Sequence, residues 1–117
     1  MNATQTFYVS KANTEDYAPF KMNIIDGDPE TFVHMLREES GGEGQLLAGM
    51  WRAGICTIDY QFNGDETMHI IRGKAEVELD RGDVVKLEAG DIASFAKGTH
   101  AIWRISSPIE KVFVVSG

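Results

Sequence analysis

The chain has few of the features that mark secreted, membrane-spanning or nucleic-acid-binding proteins. Cys56 is the only cysteine among 117 residues, so no internal disulfide can form and nothing argues for an oxidising compartment. No apolar run approaches the length of a membrane span, and the first residues lack the basic start and apolar stretch of a signal peptide. We therefore expect a soluble, cytoplasmic protein without a membrane partner.

Basic residues and histidines are also scarce. Eleven Lys and Arg are outnumbered by eighteen Asp and Glu, which gives a formal net charge of -7. Such a field repels phosphate backbones, so nucleic acid is not expected as a partner. The hydrophobic content of 43% and the charged content of 25% are ordinary for a globular protein, and the length suits a single domain.

What the chain does contain is a succession of short segments in which apolar and polar residues alternate. From Trp51 onward these segments are separated by turns at roughly ten-residue spacing, a pattern typical of an all-β sandwich or barrel. The clearest hairpin joins residues 75–79 to 84–87 through a turn that contains Gly82. Further strands are predicted at 23–25, 31–37, 45–50, 54–62, 66–71, 92–95, 101–105 and 111–115.

Turns are predicted between these strands, including one at Arg72 and Gly73 and one at Ser107 and Pro108. A Gly-rich loop is expected at residues 40–44. Residues 1–22 are predicted to form an N-terminal arm that packs on the barrel or on a neighbouring subunit, and residues 23–117 the barrel domain. The predicted fold class is all-β, a single antiparallel barrel.

Two groups of residues carry a resemblance to a known superfamily. Gly54, Tyr60, Phe62, Glu66 and Gly73 have the spacing of the first cupin motif, and the stretch from Gly90 to Ala101 has the second in outline. On these residues the chain resembles the cupin superfamily, which implies an RmlC-like jelly-roll barrel, or double-stranded β-helix, with a site inside it.

Within that superfamily, the last two thirds of the chain look most similar to a small branch named for the cupin domains of ureidoglycine aminohydrolase. The matching residues are Trp51, Gly98 with Trp103, and Lys111. This resemblance implies a metal-dependent hydrolase that releases ammonia from a ureido compound.

The resemblance also implies where metal ligands would lie. Metal-binding cupins have histidines at the positions of Tyr60, Phe62 and Ala101. His100 is adjacent to the last of these, but successive residues of a strand face opposite sides. His69 faces away from Glu66 for the same reason. We therefore expect no cofactor, and a divalent metal is the disfavoured alternative.

Glu66 is the candidate catalytic residue. A carboxylate facing a barrel lined by Tyr60, Phe62 and Met68 lies in a low dielectric, which disfavours its charged form and suits acid–base chemistry. The alternative is structural, with Glu66 accepting hydrogen bonds from Tyr60 and a nearby backbone group. Lys111 and Arg72 could each pair with Glu66, receive an acidic ligand or form surface salt bridges.

The residues predicted to contact a ligand are Cys56, Tyr60, Phe62, Met68 and Trp103. Aromatic side chains suit stacking against a flat organic molecule, although in a small barrel they can equally fill the interior. The leading hypothesis is a barrel that binds a small polar or aromatic metabolite around Glu66, with turnover left open.

Two alternatives remain at this stage: the metal-dependent hydrolase implied by the resemblance, and a non-catalytic dimeric sensor or accessory subunit. A homodimer is expected, since cupins resembling this one usually pair through a sheet face. Ile71 and Phe113 are predicted to supply its apolar patch.

Overall fold

The computed structural model describes residues 6–41 and 44–117, which form β-strands joined by turns. Residues 1–5 of the predicted arm and residues 42–43 of the predicted Gly-rich loop lie outside this description. Nine strands are present in the described ranges: β1 (Ala18–Pro19), β2 (Ile24–Gly27), β3 (Thr31–Gly41), β4 (Gly44–Ala53), β5 (Cys56–Gln61), β6 (Asp65–Leu79), β7 (Val84–Glu88), β8 (Ile92–Phe95) and β9 (His100–Ser116). Over the same ranges, no helix is long and apolar enough to cross a membrane.

The strands form two layers because β6 and β9 are long, antiparallel partners that belong to both. The first half of β6 and the second half of β9 lie in one layer, between β8 on one side and β4, β3 and β1 on the other. Their remaining halves lie in the second layer, between β7 and the pair β5 and β2. This arrangement confirms the predicted all-β antiparallel jelly-roll barrel.

The predicted turns at Arg72–Gly73 and Ser107–Pro108 are wrong, because both segments lie inside continuous strands. The β6–β9 register shifts at three points between Ile70 and Ala75, so the two strands bend together instead of ending. Gly73 has a φ of 94°, and a Cβ there would lie 2.3 Å from the carbonyl oxygen of Pro108. Glycine is therefore required where the two backbones approach at the bend.

Alternation along β9 decides which side chains enter the barrel. Lys111, Phe113 and Val115 are buried on the inner face, whereas Val112 and Val114 are 38% and 42% exposed. The expectation that Phe113 supplies an exposed apolar patch is therefore wrong. The other predicted patch residue, Ile71, is half-buried.

The N-terminal arm packs against the outer face of its own barrel. β1 pairs with β3 through Ala18 and Val33, and the Tyr17 hydroxyl donates a hydrogen bond to Glu110 at 3.0 Å. The guanidinium of Arg52 lies 3.8 Å from the centre of the Tyr17 ring. This part of the arm thus covers the outer face of the sheet, whereas Phe20, Lys21 and Met22 at its end line a cavity inside the barrel.

Candidate functional site

A cavity of about 600 Å³ lies between the two layers of the barrel. Its apolar wall includes Trp51 from β4, Tyr60 from β5, and Trp103 and Phe113 from β9. Exposed members of the lining, among them Glu38 of β3, mark its opening to solvent. The barrel is therefore not filled by its own aromatic side chains, and its volume is in the usual range for small-molecule sites, about 300–1,000 Å³.

A buried ion pair forms part of the cavity wall. The ammonium Nζ of Lys111 lies 2.7 Å from Oε2 of Glu66, and the two side chains are only 9% and 3% exposed. Neighbouring strands β9 and β6 supply them, each from an inward-facing position. Of the alternatives left open for Lys111, pairing with Glu66 is the one that the structure shows, as expected for a buried charge, which is stable only when it is paired.

The second oxygen of Glu66 is also engaged. The hydroxyl of Tyr60 donates a hydrogen bond to Oε1 at 3.1 Å, as the structural alternative for Glu66 predicted. Burial, followed by the charge of the Glu66 carboxylate, raises the pKa of the Tyr60 phenol above its ordinary value. The phenol therefore remains a hydrogen-bond donor at neutral pH and holds Glu66 in one orientation.

Three aromatic rings surround the Lys111 ammonium. Its Nζ lies 5.0 Å from the ring centre of Trp51, 4.9 Å from that of Trp103 and 5.9 Å from that of Phe113. Ring faces attract a cation but accept none of its protons in strong hydrogen bonds. Among the described residues, Glu66 is the only hydrogen-bond acceptor that the ammonium reaches, although an ammonium has three protons to donate.

Two further donors, on side chains that line the cavity, have no partner. The indole Nε1 atoms of Trp51 and Trp103 are buried and make no hydrogen bond to any described residue. Most buried polar groups in proteins are hydrogen-bonded, so exceptions call for an explanation. Both indoles belong to the rings that flank Lys111, and their Nε1 atoms are enclosed by protein.

The predicted site residues separate into two groups. Tyr60, Glu66 and Trp103 line the cavity, whereas Cys56, Phe62 and Met68 are buried in the core outside the lining. That Cys56, Phe62 and Met68 contact a ligand stays a prediction. None of the three side chains lines the cavity.

Phe62 and Cys56 have clear packing environments. Phe62 stacks on Phe95 with ring centres 4.8 Å apart and meets the edge of Tyr60 at 4.7 Å, so it supports Tyr60 from behind. Burial, with a smaller effect of the Asp28 charge, raises the pKa of the Cys56 thiol and leaves it unreactive.

Sequence reasoning missed Trp51 and Phe113 as lining residues and left the role of Lys111 open. The alternation of residues 109–115 held the signal, because it places Lys111 on the same face as Ile109, Phe113 and Val115. A lysine on the apolar face of a strand requires a buried partner. Glu66 is that partner, on the adjacent strand.

The residues at the metal-ligand positions of the cupin motifs do not fit a metal ion. Phe62 and Ala101 have no donor atom, and the Tyr60 phenol is protonated and bound to Glu66. A divalent cation beside Glu66 would meet the ammonium of Lys111. Across residues 6–41 and 44–117, no group of three or more His, Cys, Asp or Glu side chains converges on a point.

Comparisons with known proteins agree with the barrel topology. A DUF861-family protein from Thermotoga maritima is 29% identical, with a TM-score of 0.56, over 56% of this chain and 75% of that one. A putative ethanolamine utilization protein Q from Salmonella typhimurium is 17% identical, with a TM-score of 0.63, over 86% of this chain and 93% of the other. The EutQ protein of Clostridium difficile is 21% identical, with a TM-score of 0.59, over 80% and 74% of the two chains.

No curated protein matches the chain significantly. The predicted similarity to the ureidoglycine aminohydrolase branch is not confirmed by any of these comparisons. The model of the EutQ-like cupin domain, in contrast, matches residues 40–113, which is more than half of the chain and includes Trp51, Glu66 and Lys111. The chain therefore belongs to the family of EutQ-like cupin domains.

Proposed function

We propose that this cupin domain binds a small, uncharged organic molecule that carries a hydrogen-bond acceptor. The observation that carries the proposal is the Lys111–Glu66 ion pair in the wall of an open cavity of about 600 Å³. A cavity of this kind, mostly apolar with a few convergent polar groups, is the usual form of a small-molecule site.

The available hydrogen-bonding groups define the ligand chemistry. The Lys111 ammonium has protons that no described acceptor takes. A carbonyl oxygen on the ligand would accept a hydrogen bond from it. The charges of Lys111 and Glu66 already cancel, so a neutral ligand adds no unpaired charge to the barrel.

The aromatic walls define the ligand's shape. Trp51, Trp103 and Phe113 present flat apolar surfaces around the polar end of the cavity. Flat rings or planar amides can stack on such surfaces and lose little conformational entropy. The expected ligand is therefore a planar or aromatic molecule with one carbonyl-type acceptor.

The two tryptophans provide a direct test, because Trp51 and Trp103 are the only ones in the chain. Both rings line the cavity, so their indole N–H signals in a ¹H–¹⁵N NMR spectrum respond to its contents. We expect benzamide to shift both signals at lower concentration than toluene, which has the same ring but no acceptor, and benzylammonium to bind more weakly than either. Equal effects of benzamide and toluene would contradict the role of the acceptor.

A variant pair identifies the donor. Lys111→Met should weaken benzamide binding more than toluene binding, because it removes the ammonium that donates to the carbonyl oxygen and keeps an apolar side chain of similar length. Lys86→Met, at an exposed position of β7, is the matched control and should change neither.

Hydrolysis of a ureido compound at a metal centre stays the alternative prediction from the sequence. It requires donors that the described residues do not bring together. Elemental analysis of the purified protein, with Glu66→Gln prepared in parallel, tests the expectation of a metal-free site. Near-stoichiometric Mn, Fe, Ni or Zn that disappears in the variant would favour the hydrolase.

The homodimer also stays a prediction, with a changed interface. Val112 and Val114 of β9 and Ile92 of β8 leave apolar surface on the outer face of the sheet, and Ile92 is 74% exposed. Light scattering after gel filtration would measure the mass, and Val112→Lys with Val114→Lys should give a monomer if two copies pair through this face.

A further inference from the structure

The surroundings of Lys111 differ from those of every other lysine in the chain. The other five, Lys11, Lys21, Lys74, Lys86 and Lys97, are exposed. Lys111 is 7% exposed and has its ammonium among three aromatic rings, whereas Lys21, which also lines the cavity, is exposed. Desolvation in an apolar pocket is one of the ways in which proteins turn a lysine into a nucleophile.

We propose that Lys111 forms an imine with an aldehyde or ketone that enters the cavity, with Glu66 as the proton carrier. This inference rests on the proposed function, since the carbonyl compound must first bind in the same cavity. It adds a covalent step and narrows the ligand class from any acceptor-bearing molecule to a reactive carbonyl compound.

The positions of the groups match the proton movements that imine formation needs. Oε2 of Glu66, 2.7 Å from Nζ, takes one proton from the ammonium and exposes the nitrogen lone pair. The neutral amine attacks the carbonyl carbon, the C–N bond forms, and the π electrons of the C=O bond move to oxygen. Glu66 then returns its proton to that oxygen.

Loss of water completes the step. A second proton passes from nitrogen to oxygen through Glu66, the C–O bond breaks, and the oxygen leaves as water while the nitrogen lone pair forms the C=N bond. Two of the three ammonium protons depart in the water and the third stays on the iminium nitrogen. The single positive charge is conserved, so no oxidant, reductant or additional reactant is needed.

The site suits both ends of this reaction. The ammonium before the step and the iminium after it are both cations, so each can pair with the Glu66 carboxylate and lie against Trp51 and Trp103. Tyr60 is a positioning residue, because its hydroxyl holds Oε1 of Glu66 and leaves Oε2 directed at Lys111.

Reductive trapping tests the proposal. Limiting benzaldehyde and cyanoborohydride are added to the full chain at neutral pH, and peptide mass spectrometry locates the resulting benzylamine. We expect Lys111 to be labelled at least about tenfold faster than any exposed lysine, because binding in the cavity positions the aldehyde beside the amine. Benzamide, which has the same shape but forms no imine, should suppress labelling of Lys111 and leave that of Lys86 unchanged.

Two control variants distinguish loss of the nucleophilic amine from loss of the folded cavity. Lys111→Arg keeps a cation beside Glu66 and should abolish the fast labelling, while Glu66→Gln should slow labelling of Lys111 even at benzaldehyde concentrations that saturate the shift of the indole signals. Benzamide protection needs no variant, so the proposal remains testable if either variant fails to fold.

The outcomes are distinguishable. If benzamide shifts the indole signals of Trp51 and Trp103 but Lys111 is labelled no faster than Lys86, the imine proposal is overturned and the proposed binding function stands. If neither benzamide nor benzaldehyde shifts those signals, the proposed function fails and the imine proposal fails with it.

Discussion

Glu110 and Lys111 are adjacent on β9, both are charged and both are buried, but they lie on opposite sides of the barrel wall. On the outer side, Oε2 of Glu110 accepts hydrogen bonds from Arg52 at 2.8 Å and from Tyr17 at 3.0 Å. On the inner side, Lys111 reaches a single acceptor, Glu66, and faces a cavity.

The two charges therefore differ in how completely the chain satisfies them. The arm covers Glu110, and its hydrogen bonds outweigh the effect of burial: burial alone would raise the pKa of Glu110, but Arg52 and Tyr17 hold it below its ordinary value. The donors around Lys111 remain in excess of the acceptors. A cluster whose hydrogen-bonding groups are all paired suits a structural role, whereas the unused protons of Lys111 beside the cavity support the ligand site that we propose.

The largest effect is expected from breaking the inner pair. Lys111→Met leaves the Glu66 carboxylate buried without its cation and should lower the free energy of unfolding by about 3–5 kcal/mol. Urea unfolding measures the loss. Adding Glu66→Gln should recover a large part of it, and a double variant as unstable as the single one would show that packing of the lysine stem, not its charge, is what matters.

A smaller effect is expected at Tyr60. Tyr60→Phe keeps the ring between Phe62 and the cavity but removes the hydrogen bond to the Glu66 carboxylate, at a cost of about 1.5–3 kcal/mol. The same variant should reduce benzaldehyde labelling of Lys111 without abolishing benzamide binding. Unchanged stability would mean that water replaces the phenol at Oε1.

Substitution in the outer cluster, which consists of Glu110, Arg52 and Tyr17, should reduce stability less than substitution in the inner pair. Glu110→Gln retains an acceptor for Arg52 or Tyr17 and should cost about 1 kcal/mol, since one charge-assisted bond becomes an ordinary one. It should also loosen the arm, so that trypsin cleaves after Lys11 faster than in the native chain, with benzamide binding unaltered. A loss of benzamide affinity would mean that the two faces of β9 are coupled.

The smallest effect is expected at His100, whose ring bridges Asp80 and Asp59, with the Asp80 carboxylate 2.6 Å from Nδ1. Hydrogen bonds that the protonated ring donates to Asp80 and then to Asp59 raise the pKa of His100 in the folded state. The stabilisation is therefore fully present below about pH 6.5, the unfolded value, and is lost as pH rises through the raised folded pKa.

Urea midpoints of the native chain and His100→Gln across this range test the sign of that effect. The difference between the two proteins should shrink as pH rises. Because Asp59 lines the cavity, an NMR titration of the indole signals would also show whether the bridge influences the site. A difference that is independent of pH would contradict the charged bridge.

The architecture was predictable because alternation and turn residues are local signals. The hairpin at Gly82 and the inward face of β5 follow from period-two patterns that the structure repeats. The bends at Gly73 and Pro108 were mistaken for turns because glycine and proline are common both in turns and at bends within continuous strands. Only the pairing of β6 with β9 shows that Gly73 lies against Pro108 within two continuous strands.

The candidate site was less predictable because its partners come from distant parts of the chain. Glu66 and Tyr60 are six residues apart and belong to one motif, so their contact could be anticipated. Lys111 is 45 residues from Glu66, and whether it paired with Glu66 or lay on the surface depended on the register of β9. The same register determined that Phe113 enters the barrel and Val112 does not.

The sharing of β6 and β9 between both layers has a consequence for how the domain folds. β9 pairs with β4, β5 and β6, so neither layer is complete without it, and it is the last strand of the nine in chain order. The two layers cannot form as independent units, which favours a single cooperative transition. Since nearly all of these pairings join distant segments, we expect refolding in milliseconds to seconds, and a ribosome-bound chain should stay unfolded until residue 116 has emerged from the exit tunnel.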